Sequence, residues 1–234
     1  MTNHPRRDAR ASRWKRDALI ALGVLLIAML LDPVLRGWLA LDAEHLARVE
    51  RRDGYRLLRV AGYVPAWIML GVAVWLGRSR HDPRAPRVGL ALVLSAIASG
   101  ATAEIVKMLV GRVRPGREAD WSLAWYDFRT PLRGFVETSN LGLPSSHAAV
   151  AFGGAFAVWL LFPRAGWVAL AWAVGCGLTR VRADAHWASD VVLGAIVGLV
   201  AARLVVWILG VRGGRASGGG GGLARGAHGA KDWA

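Results

Sequence analysis

Cysteine is almost absent from this chain, which contains only Cys176. A single thiol excludes an internal disulfide, and no cysteine pattern typical of a metal site is present. Cys176 lies inside a long apolar block, where a small side chain is most simply interpreted as part of a packed core. The chemistry of this protein must therefore come from other residue types.

Acidic residues are scarce as well: the chain has 16 Asp and Glu but 30 Lys and Arg, a formal net charge of +14. A strongly basic chain can bind nucleic acid, but such a protein needs its cations on one soluble surface. Here the cations lie in loops and tails that alternate with apolar segments. We therefore expect them to set membrane topology and to contact anionic lipid headgroups, and we expect no nucleic-acid partner.

Long apolar runs, by contrast, are abundant, and hydrophobic residues make up 54% of the chain. The nearly charge-free blocks are Ala18–Leu31, Val60–Leu76, Val88–Val110, Ala148–Leu161, Trp167–Leu178 and Val191–Leu209. A membrane span needs roughly 20 mostly apolar residues, and the shorter blocks must borrow flanking residues to reach that length. The pattern predicts an all-α, polytopic membrane bundle with six transmembrane helices and the bilayer as its surroundings.

The two ends of the chain differ from its apolar middle. Residues 1–16 are densely basic, and no clear signal-peptide cleavage site follows them, so we predict a retained first span. Residues 211–234 are rich in glycine and cannot bury a core. We therefore predict a basic cytoplasmic arm (1–16), a six-span domain (17–210) and a disordered cytoplasmic tail (211–234).

The basic loops predict the orientation. With six spans, the N-terminal arm, the loop Gly77–Arg87, the turn Pro163-Arg164 and the tail all lie on one side, which should be the cytoplasm. The connections 36–59, 111–146 and 181–189 then lie on the periplasmic or extracellular side. Tryptophans near both ends of the spans predict two interfacial belts. One belt comprises Trp14, Trp75, Trp159 and Trp207, and the other comprises Trp38, Trp121, Trp125 and Trp187.

A first group of cations closes the third apolar block. Lys107 and Arg114 are seven residues apart, close to two helical turns, so both point the same way if the helix persists. Pro115 then stops or bends it. Glu104, one turn before Lys107, is expected to form an ion pair with it. Cations at a span end usually reach for the interface, so this group alone is a weak signal.

A second group, Pro144-Ser145-Ser146-His147, opens the fourth block. Serine is a good helix N-cap, and the free N–H groups and positive dipole end of such a helix favour an anion. His147 lies in this first turn, where it would be close to any bound phosphate. Alone, the motif indicates no more than the start of a helix.

A third group joins the last two blocks, from Thr179-Arg180 through His186 to Asp190. His186 and Asp190 are spaced i, i+4 and share a face if helical. A carboxylate on one ring nitrogen fixes the tautomer and frees the other nitrogen for attack. A charged pair at a membrane boundary favours function over a purely structural hydrogen bond.

The remaining ionisable residues of these segments are assigned structural roles. Arg182 and Asp184 are interpreted as a solvated turn. Arg112 and Arg117 could add positive charge around the site, but the favoured interpretation is that they are interfacial anchors.

All three groups fall at the same predicted membrane face. They supply what phosphoryl transfer needs: cations for the oxygens, a nucleophile in line and an acid for the leaving oxygen. No carboxylate cluster suited to magnesium lies nearby in the sequence. We therefore predict a mechanism without metal or cofactor, through a phosphohistidine intermediate.

The pattern Lys-x6-Arg-Pro, Pro-Ser-x-His and Ser/Thr-Arg-x5-His-x3-Asp resembles the type 2 phosphatidic acid phosphatase family, which shares its site with the vanadium haloperoxidases. The resemblance covers roughly Ala18 to Leu209, so that residues 17–210 would form the phosphatase domain. It implies that His186 attacks phosphorus, held by Asp190. It also implies that His147 protonates the departing oxygen and then activates water.

The same resemblance assigns the phosphoryl oxygens to Lys107, Arg114, Arg180, Ser145 and the backbone amide of Ser146. The sequence departs from the family pattern twice. Ser146 stands where many members have glycine, so its backbone N–H remains, but its side chain must point away from the phosphate. Thr179 stands where serine is usual, and the hydroxyl is kept.

A lipid phosphatase of an inner membrane is the function that the resemblance implies, acting on a phosphate or diphosphate monoester. Candidate substrates are undecaprenyl diphosphate, phosphatidic acid, phosphatidylglycerol phosphate and a lipid A phosphate. The alternatives are a lipid-to-lipid phosphotransferase using the same histidine and a non-enzymatic membrane transport or assembly protein. Residues 116–143, which include several aromatic residues, are predicted to cap the headgroup layer and to shape substrate choice. The sequence leaves the oligomeric state open.

Overall fold

A computed structural model describes residues 5–115, 128 and 140–211, with side chains from residue 14 onward. Within these ranges every regular element is an α-helix, which confirms the predicted all-α class. The helices are α1 (Pro5–Leu39), α2 (Ala43–Glu50), α3 (Asp53–Val60), α4 (Val64–Arg78), α5 (Ala85–Val110), α6 (Ser146–Leu161), α7 (Pro163–Arg182) and α8 (Ala188–Ile208). The side chains of the basic arm before residue 14, the tail from 212 and most of the predicted cap at 116–143 lie outside the described residues.

Three helices are long and apolar enough to cross a membrane: α1 from Trp14, α5 and α8. The pair α3 and α4 passes the same test only together, and the two are bent by 74° at the break between them. α6 is apolar but shorter, and α7 carries Arg164 and Arg180 near its two ends. Length and composition thus give three spans in the described ranges, or four if the bent pair is one span. The six-span topology stays a prediction.

The helix α6 forms the centre of the bundle and packs against α5, α7 and α8. Glycine makes this close packing possible, because a Cβ at Gly153 would collide with Ser99 and one at Gly154 would collide with the ring of Trp67. Small residues at helix interfaces are how membrane helices approach each other without a hydrophobic driving force. The N-terminal end of α6, which carries His147, is therefore anchored by a rigid core.

The outer surface of the bundle is strongly apolar. On α1, Leu19, Ile20, Ile27 and Leu30 are each more than half exposed. A continuous apolar surface of this kind is unusual in water and typical of contact with lipid tails. Trp14, Trp38 and Trp207 are also exposed, in keeping with their predicted interfacial positions.

The connections between helices collect at two ends. The α4–α5 turn, the α6–α7 turn and Val211, three residues beyond the end of α8, line one cavity of about 710 Å³, together with Arg78, Arg84 and Arg164. We call this the basic end. It joins the three described connections that were predicted to share the cytoplasmic side. The opposite end, here called the histidine end, holds the N-termini of α6 and α8, the α7–α8 turn and the segment after α5.

Candidate active site

The segment after α5 differs from the prediction. We expected the helix to run to Pro115, but it ends at Val110, and Gly111 caps it in the left-handed region with φ 69°. Glycine is the residue that adopts this conformation without strain. The chain then extends, and it is held by hydrogen bonds from Arg114 N–H to Asn140 and from Gly142 N–H to Arg112. Lys107 and Arg114 therefore belong to different elements and do not share a helical face.

His186 and Asp190 are brought together as their spacing predicted. The Nδ1 atom of His186 lies 3.4 Å from Oδ2 of Asp190, and the backbone N–H of Trp187 donates to the same oxygen at 3.0 Å. His186 lies in the α7–α8 turn, just before the helix that carries Asp190. With Nδ1 donating to the carboxylate, Nε2 is the ring nitrogen left for chemistry.

Burial sets the protonation state of this histidine. His186 is 3% exposed and Asp190 is fully buried. Burial lowers the pKa of His186 below its ordinary value of 6.5, and the hydrogen bond and charge of Asp190 act in the opposite direction. The uncharged imidazole is favoured, which is the form that can act as a nucleophile.

His147 lies in the first turn of α6 and is half-buried. Its ring packs edge-on against Tyr63, with ring centroids 5.2 Å apart. The charges of Arg180, His186 and Lys107 all act on it, which means that α5, α6 and α7 bring their predicted site residues to one place.

The N-termini of α6 and α8 meet at this end. Ser145 is the N-cap of α6, where its Oγ accepts a hydrogen bond from Ala148 N–H at 3.4 Å. Its own N–H donates to the backbone carbonyl of Asp190 at 2.9 Å. The first N–H groups of a helix have no partner inside it, and the helix dipole is positive there. Two such ends are therefore placed around the histidines.

The cation of Lys107 is buried and held in place. Its Nζ donates to Glu104 at 2.9 Å and to the hydroxyl of Ser146 at 2.6 Å, so the predicted Glu104 pair is confirmed. The Ser146 hydroxyl also contacts the Glu104 carboxylate.

Arg180 and Arg114 supply the other two predicted cations. Arg180 is 9% exposed, and its buried Nε has no hydrogen-bond partner among the described residues. A buried donor without an acceptor is costly, and an anion would relieve that cost. Arg114 is half-buried, its Nε donates to the carbonyl of Leu141 at 2.9 Å, and its charge acts on both His186 and Arg180.

The interpretation of Arg112 as an interfacial anchor is wrong. Its side chain is fully buried, and Nη1 donates to Asp190 at 3.1 Å while Nη2 donates to Asp32 at 2.8 Å. Asp32, an acid that directly follows a charge-free block, was not among the predicted site residues. A carboxylate at the edge of a span is costly, and that cost is the signal that could have drawn attention to it. Arg117, which was interpreted in the same way as Arg112, lies outside the described residues.

The α7–α8 turn is not solvated as predicted. Asp184 forms a two-pronged ion pair with Arg36, with both contacts at 2.7 Å and side chains 8% and 11% exposed. Asp184 has φ 53°, in the left-handed region, which Asp tolerates better than most residues. The turn that carries His186 is thus clamped to α1.

Two further residues were placed wrongly or overlooked. Trp187 was assigned to an interfacial belt, but it is 3% exposed and lies against the guanidinium groups of Arg36 and Arg112 at 5.4 and 5.3 Å. Arg59 was given no role, yet its charge acts on His147 and Arg180. No local pattern in the sequence marks Arg59.

Together, the helices and the buried charges define a class: a helical membrane protein with a cationic histidine–aspartate site at one end of its bundle. The model of the PAP2 superfamily matches residues 88–213, which include every predicted site residue and more than half of the chain. The chain belongs to the PAP2 superfamily, and the resemblance seen in the sequence is confirmed.

Curated relatives point in the same direction. The chain is similar to a lipid A 1-phosphatase of Rhizobium etli, with 36% identity over 113 residues that cover 47% of this chain and 46% of the relative. It is 27% identical over 209 residues to a lipid A 1-phosphatase of Rhizobium johnstonii, covering 80% and 77%. It is 25% identical over 149 residues to the bacitracin transport permease protein BcrC of Bacillus licheniformis, covering 63% and 68%. No solved structure matches the chain.

Proposed function

We propose that this protein is an integral membrane phosphatase that hydrolyses a phosphate or diphosphate monoester of a lipid through a phosphohistidine at His186. The observation that carries the proposal is the buried contact of His186 with Asp190, with the charges of Arg114 and Arg180 acting on the His186 ring. Membership of the PAP2 superfamily and the names of two relatives support it.

The substrate's phosphoryl group is held by positive charge. Lys107, Arg114 and Arg180 bind its oxygens, and the first turn of α6 adds Ser145 and the amide of Ser146. Charge-assisted hydrogen bonds of this kind act most strongly in a site that excludes water. An incoming phosphate also gives the buried Nε of Arg180 an acceptor.

Chemistry proceeds in two displacements. In the first, Nε2 of His186 forms a bond to phosphorus, the P–O bond to the lipid breaks, and His147 gives its proton to the departing oxygen. In the second, His147 takes a proton from water, the resulting hydroxide attacks phosphorus, and the P–N bond breaks to release phosphate. Asp190 stabilises the positive charge on the His186 ring in the first step.

The substrate class is tested with purified protein in detergent on four lipids: a lipid A 1-phosphate, undecaprenyl diphosphate, phosphatidic acid and phosphatidylglycerol phosphate. We place lipid A first because two of the relatives carry that name. We expect one lipid to be turned over well above the others, without added metal. Release of phosphate from none of them, or inhibition by EDTA that magnesium reverses, would contradict the proposal.

Transfer and transport are separated from hydrolysis by the fate of the phosphate. With a labelled lipid, hydrolysis releases inorganic phosphate, whereas a phosphotransferase moves the label to a second lipid. A non-enzymatic transport or assembly protein does neither, and its activity in cells does not depend on His186.

We also propose the full topology. Six spans within residues 17–210 place both termini in the cytoplasm, with the basic arm at 1–16 and the tail at 211–234, and the histidine end at the periplasmic or outer face. The shared position of the basic connections supports this. A cysteine placed at Ser79 should react with a maleimide only after the membrane is made permeable, and a cysteine placed at Ala43 should react without that treatment. The reverse pattern would invert the topology.

A further inference from the structure

We propose that Asp32 and Arg112 form a buried charge network that positions Asp190 and sets the net charge beside His186. The inference rests on the proposed function for its kinetic readout, but its main test does not require turnover. Both are positioning residues, since they act through Asp190 rather than on the substrate.

The network is closed by direct contacts. Nη1 of Arg112 donates hydrogen bonds to Asp190 at 3.1 Å and to the hydroxyl of Ser189 at 2.6 Å. Nη2 of Arg112 donates to Asp32 at 2.8 Å. Asp32 also accepts from the backbone N–H of Ser189 at 2.9 Å and from its hydroxyl. Asp32 therefore holds the residue next to Asp190 by its main chain, and Arg112 holds Asp190 by its side chain.

Burying these charged side chains costs free energy, which favours a functional role for the network over a purely structural one. The side chains of Asp32, Arg112 and Asp190 are fully buried. Taking charges out of water costs several kcal/mol per ion, and apolar residues of similar volume often stabilise a protein as well or better. The burial pattern of α1 points the same way, because its buried side chains among residues 14–39 are Ala28, Asp32 and Arg36. Two of these three residues, Asp32 and Arg36, are charged and lie at the histidine end.

The charges of the network sum to an anion. Among the described residues, two carboxylates share this guanidinium, so these three side chains together carry a formal charge of −1 rather than zero. Asp190 offers Oδ1 to Arg112 and Oδ2 to His186, and Asp32 competes for the same cation. Without Asp32, Arg112 would neutralise Asp190, and the positive charge that develops on His186 would be less stabilised.

Other charged groups also face His186, and they stay unchanged in the test. They are Arg180 from α7, Arg114 from the segment after α5, and His147 from α6. A shift in the titration of His186 upon substitution of the network can therefore be assigned to the network.

The test compares three variants of the full chain that alter the network's formal charge: Asp32→Asn (zero), Arg112→Gln (−2) and the double variant (−1, as in the native protein). The readout is the ring ¹⁵N titration of His186 in histidine-labelled protein in detergent, assigned by its loss in His186→Ala. We expect the midpoint to move down by roughly one pH unit in Asp32→Asn, to move up in Arg112→Gln, and to return towards the native value in the double variant.

A second measurement is the steady-state kinetics of the same variants. On the best lipid of the panel, Asp32→Asn should lower kcat/KM by roughly tenfold and move its acid limb to lower pH. Asp82→Asn is the control: it removes a carboxylate from the ion pair with Arg78 at the basic end and leaves both the network and the turn of His186 intact. Its His186 midpoint should equal the native one.

A purely structural role predicts a different result. It would leave the midpoint of every folded variant unchanged, and losses in the double variant would add, which overturns the inference. If Arg112→Gln does not fold, Asp32→Asn and the double variant still decide, because the inference requires the single variant to titrate lower. If no lipid is turned over but the midpoints shift as expected, the proposed function fails while the network stands.

Discussion

Both ends of this bundle are rich in arginine, but the arginines differ in how deeply they and their acidic partners are buried. At the basic end, Arg78 pairs with Asp82 at 2.8 Å while their side chains remain 45% and 24% exposed. At the histidine end, Arg112 pairs with Asp32 at the same 2.8 Å with both side chains fully buried. The cavity of about 710 Å³ lies at the basic end, beyond the opposite end of α6 from the histidines. Burial and pairing of charge, rather than the number of cations or the size of a cavity, mark the candidate site.

The largest contrast between the two ends should come from the proposed nucleophile. His186→Ala should lower phosphate release by more than about 10³-fold, because the covalent route is lost, while the protein remains folded in the membrane. Arg164→Ala at the basic end should change the rate by less than about twofold. The measurement is phosphate release by purified protein in detergent. Native-like turnover in His186→Ala would remove the nucleophile assignment.

The proposed acid should show a dependence on the leaving group. His147→Ala should slow an alkyl phosphate by roughly 10²–10⁴-fold, because the departing alkoxide then lacks a proton donor. A nitrophenyl phosphate, whose leaving group needs no proton, should lose less in the first step. Equal losses on both substrates would count against the acid role.

Removing one arginine from each end of the bundle tests whether only the histidine end takes part in the reaction. Arg180→Ala should cost roughly 10²–10³-fold in kcat/KM, since one buried donor to the phosphoryl group is lost. Arg78→Ala is the matched change at the basic end, and we expect kcat/KM to stay near the native value. Similar losses in both variants would mean that the arginines act through general stability rather than at a site.

The pH profile should report the buried imidazole. Because burial lowers the pKa of His186, its uncharged form persists below the ordinary value of 6.5. On its acid side, kcat/KM should therefore hold to below pH 6.5 and fall when the His186 ring gains its proton. A fall that begins above 6.5 would indicate that the ring is more basic in the free protein than its burial implies.

A last contrast between the two ends concerns stability. Asp184→Asn breaks a buried ion pair with Arg36 and should destabilise the fold by about 3–5 kcal/mol, whereas Asp82→Asn breaks an exposed pair and should cost about 0–1 kcal/mol. Thermal or denaturant unfolding in the same detergent compares the two. Equal costs would show that the two ends differ less than their burial suggests.

The predicted site residues were within reach of sequence reasoning because each group sits at a helix end with a short, local spacing. His186 and Asp190 are four residues apart, and Ser145 precedes α6 directly. If consecutive apolar blocks cross the membrane in opposite directions, the end of one block and the start of the next lie on the same side. The three groups of site residues are then predicted to share one membrane face. The all-α class followed from the same blocks.

The charge network could not be predicted in this way. Arg112 and Asp32 are 80 residues apart, and no spacing rule connects a residue of α1 with the segment after α5. The end of α5 at Val110, by contrast, could have been predicted from the sequence, because glycine commonly follows the last residue of a helix and Gly111 occupies that position. The burial of Trp187 depends on Arg36 and Arg112 packing against it, which only the assembled bundle shows.

The central claim is that His186 carries the phosphoryl group, and trapping that intermediate tests it most directly. Protein mixed with a ³²P-labelled substrate and quenched in base should retain label that is stable to base, released by acid and located on the peptide containing His186. The label should be absent from His186→Ala. Label on another residue, or its retention in that variant, would contradict the account.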